Sequence, residues 1–77
     1  MSFDVFRVTP IPGDGAPVTA WAGPSSGAAQ AVRVAARVLR LPPGMRVEVE
    51  GQRVSGGKAE WELISTTTVE AAITGSR

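Results

Sequence analysis

Arg33, Arg37 and Arg40 recur at intervals of four and three residues, with Gln30 three residues ahead of them. At about 100° per residue, that spacing gathers all four on one side of a helix, with the three arginines within about two turns. A guanidinium offers a planar fork of donors that binds carboxylates or phosphates in pairs, and arginine is enriched where proteins meet partners. Gln30, Arg33, Arg37 and Arg40 are therefore the candidate partner-binding residues. The same spacing also describes an ordinary solvated helix face. Three phosphate contacts would give a log–log salt slope of only about −2.7, from roughly −0.9 per contact. That is weak for free-standing nucleic-acid binding, and it suits an acidic protein surface or a supporting place in a protein–nucleic acid complex.

Catalytic chemistry finds few reagents. The chain has no histidine and no cysteine, which removes disulfides, thiolate or imidazole zinc sites, and the usual base for activating a serine or threonine. Its one lysine, Lys58, falls at the edge of an expected hairpin, where a solvated ammonium is the natural state rather than a buried Schiff-base amine. Glu48, Glu50, Glu60 and Glu62 alternate along two segments and would share one sheet face. They could hold a hard cation or form an acid/base pair, although alternation alone generates such a solvated face. Gly13-Asp14-Gly15 and Gly56-Gly57-Lys58 lack the spacing and the following helix of a phosphate loop and read as turns. The expectation is a protein that is not an enzyme, with no catalytic residue, metal site or cofactor.

The elements that must position these residues follow from periodicity. Phe3–Thr9 is rich in aromatic and β-branched residues and reads as a strand, and Val18–Ala22 as a short second one, with a proline- and glycine-rich loop between them. Ser25 or Ser26 would cap a helix that runs from Ala28 to Leu41 and stops at Pro42-Pro43-Gly44. Its apolar stripe is Ala28, Val32, Ala35 and Leu39, widened by Ala31, Val34 and Val38. Met45–Glu50 and Ala59–Leu63 alternate strictly, which predicts a hairpin closed by a longer loop from Gly51 to Gly57. Met45, Val47, Val49, Ala59, Trp61 and Leu63 would face the helix. In the simplest register Glu50 meets Lys58, Arg46 meets Glu62 and Glu48 meets Glu60. Trp61 then belongs to the core, while Trp21 could be either core or exposed anchor. The tail from Ser65 to Arg77 reads as a strand or a short helix. The Thr67-to-Glu70 capping box favours the helix, which Gly75 would end. The expected fold is α+β, a β-β-α-β-β antiparallel sheet with one main helix packed on one face and a short C-terminal helix.

Seventy-seven residues make one domain, 1–77, near the lower size limit for folding alone. Eight basic and seven acidic side chains give a net charge of +1, too balanced for a generic nucleic-acid binder or for a DNA mimic. No stretch reaches the roughly 20 apolar residues that cross a bilayer, and Met1–Pro10 lacks a signal-peptide pattern, so no membrane association and a cytoplasmic location are expected.

An extended segment at Phe3–Thr9, an alanine-rich helix opened by a small polar cap at Ser25–Leu41 and a hairpin at Met45–Ile64 make up this layout. It resembles small phage-encoded anti-CRISPR proteins directed at type I systems, and the alanine- and arginine-rich composition resembles inhibitors of the type I-C complex in particular. The resemblance implies stoichiometric binding to subunits of the crRNA-guided effector complex (Cascade), or to its helicase-nuclease, in the cytoplasm of an infected bacterial host. Target DNA binding, through indirect competition, or nuclease recruitment would then fail by steric occlusion, without turnover. No motif aligns residue by residue, so no binding residue is carried over. Two other readings stand beside it. One is a small nucleic-acid-binding module or antitoxin-like protein. The other is a phage accessory protein that completes its core as a homodimer, pairing an exposed strand edge with a second copy.

Overall fold

The computed structural model describes residues 3–74. The elements run β1 (Val5–Ile11), β2 (Trp21–Pro24), α1 (Ala28–Leu39), β3 (Arg46–Ser55), β4 (Lys58–Thr68) and α2 (Val69–Thr74). The strands form one sheet in the order β2-β1-β3-β4, and every neighbouring pair is antiparallel. β2 and β3 therefore run parallel to each other with β1 between them, and α1 makes the crossover that joins them. The fold is the expected α+β arrangement, with a main helix and a short C-terminal helix.

The core forms where alternation along two central strands meets the apolar stripe of α1. Phe6 and Val8 from β1, Val47 and Val49 from β3, Ala31, Val32 and Ala35 from α1, and Val69 from α2 are all buried. Val8 lies opposite Val49. Burying each such valine contributes about 1.5–3 kcal/mol. Ala31 and Ala35 have only a methyl group to place between helix and sheet, so α1 can approach the strands closely. No charged or polar side chain is buried among the described residues. Pro10 lies within β1, where it would cost a ladder hydrogen bond in a central position. It is tolerated because β2 reaches only as far as Val8, which makes β1 locally an edge.

Several boundaries differ from the sequence reading. β1 starts and ends two residues later than expected, and β2 starts three residues later and ends two later. The N-cap of α1 is Gly27 in extended backbone, with no side-chain cap. Ser25 instead closes a local turn, its Oγ donating to the Gly27 carbonyl at 2.9 Å. The helix ends before Pro42: Arg40 adopts the left-handed conformation (φ 55°), and the N–H groups of Arg40 and Leu41 both donate to the Ala36 carbonyl. This is a Schellman-type ending, usually built on glycine. In the tail, residues 65–68 continue β4, and the helical alternative holds for Val69–Thr74. The cap is Thr68 rather than Thr67, its Oγ1 accepting from the Ala71 N–H at 3.1 Å. Gly75, the expected stop, lies outside the described residues.

The largest correction concerns the hairpin. Gly56 and Gly57 have φ values of 58° and 80°, which is the type I′ pattern of a two-residue turn. Ser55 therefore pairs directly with Lys58, and the expected long loop is strand. Counting back from that turn sets Gln52 opposite Trp61 and Glu50 opposite Leu63. Ala59, Trp61 and Leu63 thus lie on the sheet face away from the helices, not in the core. A bulge between the Glu50–Leu63 and Val49–Ser65 pairs takes up Ile64 and rephases β4, so that Ser65 and Thr67 share the face of Val49 and Val47.

Gly51 is buried opposite Phe6, and a Cβ placed there would overlap the Phe3 ring. Phe3 in turn meets Phe6 edge-on, with ring centroids 6.3 Å apart. Gly51→Ala should displace Phe3 and destabilise the chain by about 1–3 kcal/mol. Urea denaturation would show this as a lower midpoint, and an unchanged midpoint would mean that Phe3 contributes no packing there.

Candidate partner-binding surface

The helix places three of the four sequence-selected residues as their spacing requires, and the fourth, Arg40, follows its last residue. Gln30, Arg33 and Arg37 are exposed on the side of α1 turned away from buried Ala31, Val32 and Ala35, and Arg40 is exposed just beyond the helix, in left-handed backbone. Arg33 and Arg37 are one turn apart, which sets their Cβ atoms about 5–6 Å from each other. α1 contains no acidic residue, and no ion pair engages Arg33, Arg37 or Arg40 among the described residues. These cations are therefore committed to no carboxylate within the described residues. Part of their presence has a local cause: Arg37 lies in the last turn, where a cation offsets the negative end of the helix dipole. Arg33, further from that end, and Arg40, beyond it in strained backbone, gain less from the dipole.

The structure adds a surface that the sequence reading did not assemble. Arg7 and Glu50 are directly opposite on β1 and β3. The Arg7 Nε donates to Glu50 Oε1 at 2.8 Å and Nη2 donates to Oε2 at 2.9 Å, a bidentate pair. The guanidinium carbon lies 4.6 Å from the centre of the Trp61 ring. The hydrogen bonding that Arg7 donates to Glu50 is the main reason the Arg7 pKa is raised above its ordinary value; partial burial opposes it, and the fields of Glu50 and Glu48 add to it. Beside this cluster the side chains of Leu63 and Val54 stand 56% and 68% exposed. The helix-free face of the sheet thus carries a tryptophan clamped by an arginine, bordered by aliphatic groups. The Gly56-Gly57 dipeptide was the sequence signal that could have found it, since a two-residue turn fixes which face Trp61 takes.

The four glutamates do not come together. Glu48 and Glu50 share the helix-free face, while Glu60 and Glu62 lie opposite Arg53 and Gly51 on the other side. Arg53 pairs with Glu62 at 2.9 Å. The expected pairs Glu50–Lys58, Arg46–Glu62 and Glu48–Glu60 are replaced by Arg7–Glu50 and Arg53–Glu62, because the tight turn shifts the register. Among the described residues no three carboxylates converge as metal ligands, and no helix is long and apolar enough to cross a membrane. An open groove of about 500 Å³ between α1, α2 and β4 is lined by Ala28, Ala29, Val32, Ser65, Thr66 and neighbouring small residues, without a titratable group.

Two substitutions separate these surfaces. Glu50→Gln should cost no more than about 1 kcal/mol, as expected for a partly exposed pair. It should change Trp61 emission by loosening Arg7 from the ring. Trp21 contributes a constant background, so a Trp21→Phe parent isolates the signal. Arg40→Gly should raise stability by about 1 kcal/mol, because glycine takes left-handed backbone without strain, and a thermal melt reads the gain. No family model matches the chain, and no curated protein or solved structure is significantly similar to it, so its own surface carries the functional reading.

Proposed function

We propose that the chain acts by stoichiometric binding through the exposed side of α1, and that its target is the effector complex of a type I CRISPR system. One observation carries the binding reading: Arg33 and Arg37 on one face of a helix without a single acid, with Arg40 at its end, all exposed. The helix fixes where the side chains start, and the planar guanidinium fork is pre-organised, so less freedom is lost per hydrogen bond formed with carboxylate or phosphate. Arg40 sharpens the point, because it occupies a position where glycine would be more stable. The link to CRISPR rests on the resemblance in layout and composition. A net charge of +1 is unsuited to imitating DNA, which favours a steric block at an acidic protein patch over competition as a duplex mimic. The block would act on target DNA binding or on nuclease recruitment.

The alternative of direct nucleic-acid binding draws on the same arginines, and its expected salt slope of about −2.7 distinguishes it from a specific protein contact. A pull-down of the tagged chain against purified type I-C effector complex, with target-DNA mobility shifts in parallel, tests the proposal. Co-purification is expected, and reversing Arg33, Arg37 and Arg40 to glutamate together should abolish it while circular dichroism stays unchanged. Failure to associate with either the complex or its nuclease would overturn the CRISPR assignment. Normal association by the triple variant would overturn the α1 surface.

A further inference from the structure

We propose that two copies of the chain pair through the free edge of β4, in an antiparallel register centred on Glu60. This inference is independent of the CRISPR reading. Its starting point is a mismatch in strand length. β1 reaches along β3 only from Arg46 to Gly51. Beyond Gly51, Gln52–Ser55 and the facing residues Lys58–Trp61 stand as a two-stranded ribbon with no third strand. The buried parts of α1 and α2 do not include any residue that contacts this end, and Arg53–Glu60 is exposed throughout. Isolated two-stranded ribbons are marginal in water. Yet this one holds regular pairing to its tip and presents alternate N–H and C=O groups of β4 outward, with no strand against that edge among the described residues.

Charge selects both the occupant and the register. A two-fold axis perpendicular to the sheet pairs each β4 residue with its mirror position about a central residue and keeps the same side chains on the same face. Centred on Trp61, it would set Glu60 against Glu62 of the second copy twice, massing four carboxylates. Centred on Glu62, it would face that residue with itself and match Lys58 to a threonine. Centred on Ala59, it would draw Gly57, which belongs to the turn with φ 80°, into the ladder opposite Trp61. Centred on Glu60, it sets Lys58 against Glu62 of the second copy at both ends of the ladder. It also places Trp61 beside Ala59, large against small, on the helix-free face. The one like-charge contact left is Glu60 with its symmetry mate, and Arg53 is the cross-strand neighbour of Glu60 within each chain. The ladder ends at these pairs, because Lys58 is the first residue of β4. The result is a continuous eight-stranded sheet with both α1 helices on one side, so that the arginine faces of the two copies look the same way.

Analytical ultracentrifugation of the full chain across a concentration series tests this. The mass should rise from the monomer value of 8.0 kDa toward twice that, with a weak dissociation constant suited to a short ladder. Lys58→Glu should weaken self-association about tenfold, as two cross-strand pairs change from attraction to repulsion. Adding Glu62→Lys to that variant should restore it, and Glu60→Gln should tighten the wild-type dimer. Circular dichroism on each variant checks the fold, and slower amide exchange along β4 at high concentration locates the contact. A mass that stays at the monomer value at every concentration would overturn the proposal. So would dimerisation indifferent to Lys58→Glu, or a charge swap that fails to recover association.

Discussion

Two adjacent glycines in left-handed backbone decide more of this molecule than any contact in its core. Gly56 and Gly57 both have positive φ, and only a type I′ turn joins antiparallel strands through two such residues without splaying them. Once that turn exists, Ser55 must meet Lys58, and every later pair of the β3–β4 hairpin follows by counting. The side-chain period of a strand is two, so the count also assigns a face to each residue of β4. A loop one residue longer would have turned Trp61 and Leu63 toward the helices and brought Glu60 and Glu62 to the other side. The bulge at Ile64 matters for the same reason. It reverses the phase just before the strand meets the part of the sheet that α2 closes, so β4 can be charged and apolar at its free end and small and hydroxylated where Ser65 and Thr67 line the helix side.

The legible and illegible parts of the fold divide along this line. Helix α1 was readable because its apolar stripe and its arginines differ in chemistry, and a period of 3.6 separates them, although Val38 at the margin of the stripe is exposed. The buried members Ala31, Val32 and Ala35 were all in that stripe, and Gln30, Arg33 and Arg37 took the opposite side. Val47 and Val49 were readable for the equivalent reason at period two. Trp61 was not, because alternation reports that residues 59, 61 and 63 share a face without reporting which face it is. That choice belongs to the turn, and Gly51-Gln52-Arg53-Val54-Ser55 looks like a loop only if Gly51 is taken as its start. In fact Gly51 is a strand residue whose missing side chain makes room for Phe3. Trp21 was open from sequence for want of a register; its pairing with Val8 places it on the helix side, partly buried against the core. The end of α1 was misread by two residues because the prolines at 42 and 43 are conspicuous, while an arginine in left-handed backbone leaves no trace in a sequence.

The arginine at that helix end connects stability to surface chemistry. Left-handed backbone is costly for a residue with a Cβ, and the Schellman-type ending would be satisfied at least as well by glycine. Arg40 forms no ion pair among the described residues that would offset the strain. Locally strained positions persist when the surrounding structure over-determines them, and they cluster where a side chain is needed for contact. Arg7 shows the contrasting case. It is neutralised by a bidentate carboxylate and stacked on an indole, so its charge is already spent inside the chain. Arg33, Arg37 and Arg40 have no such carboxylate among the described residues.

The two surfaces therefore differ in kind, and their geometry relates them. The α1 face is a set of free cations on a rigid element, suited to carboxylates or phosphates. The projecting ribbon is a backbone edge with a self-complementary charge pattern, suited to a copy of itself. A chain this small has little area to devote to one interface, and linking two identical modules converts the second binding event into an intramolecular one. A two-fold axis perpendicular to the sheet keeps both helix faces on the same side, so pairing at β4 would double the arginine surface without covering it. Had the free edge lain on a strand beneath α1, self-pairing would have crowded the very helix that bears the cations. Instead the ribbon projects beyond the helix layer, because β1 stops at Gly51 while β3 and β4 continue to the turn. The turn that assigns Trp61 its face is also what carries the edge clear of the helices.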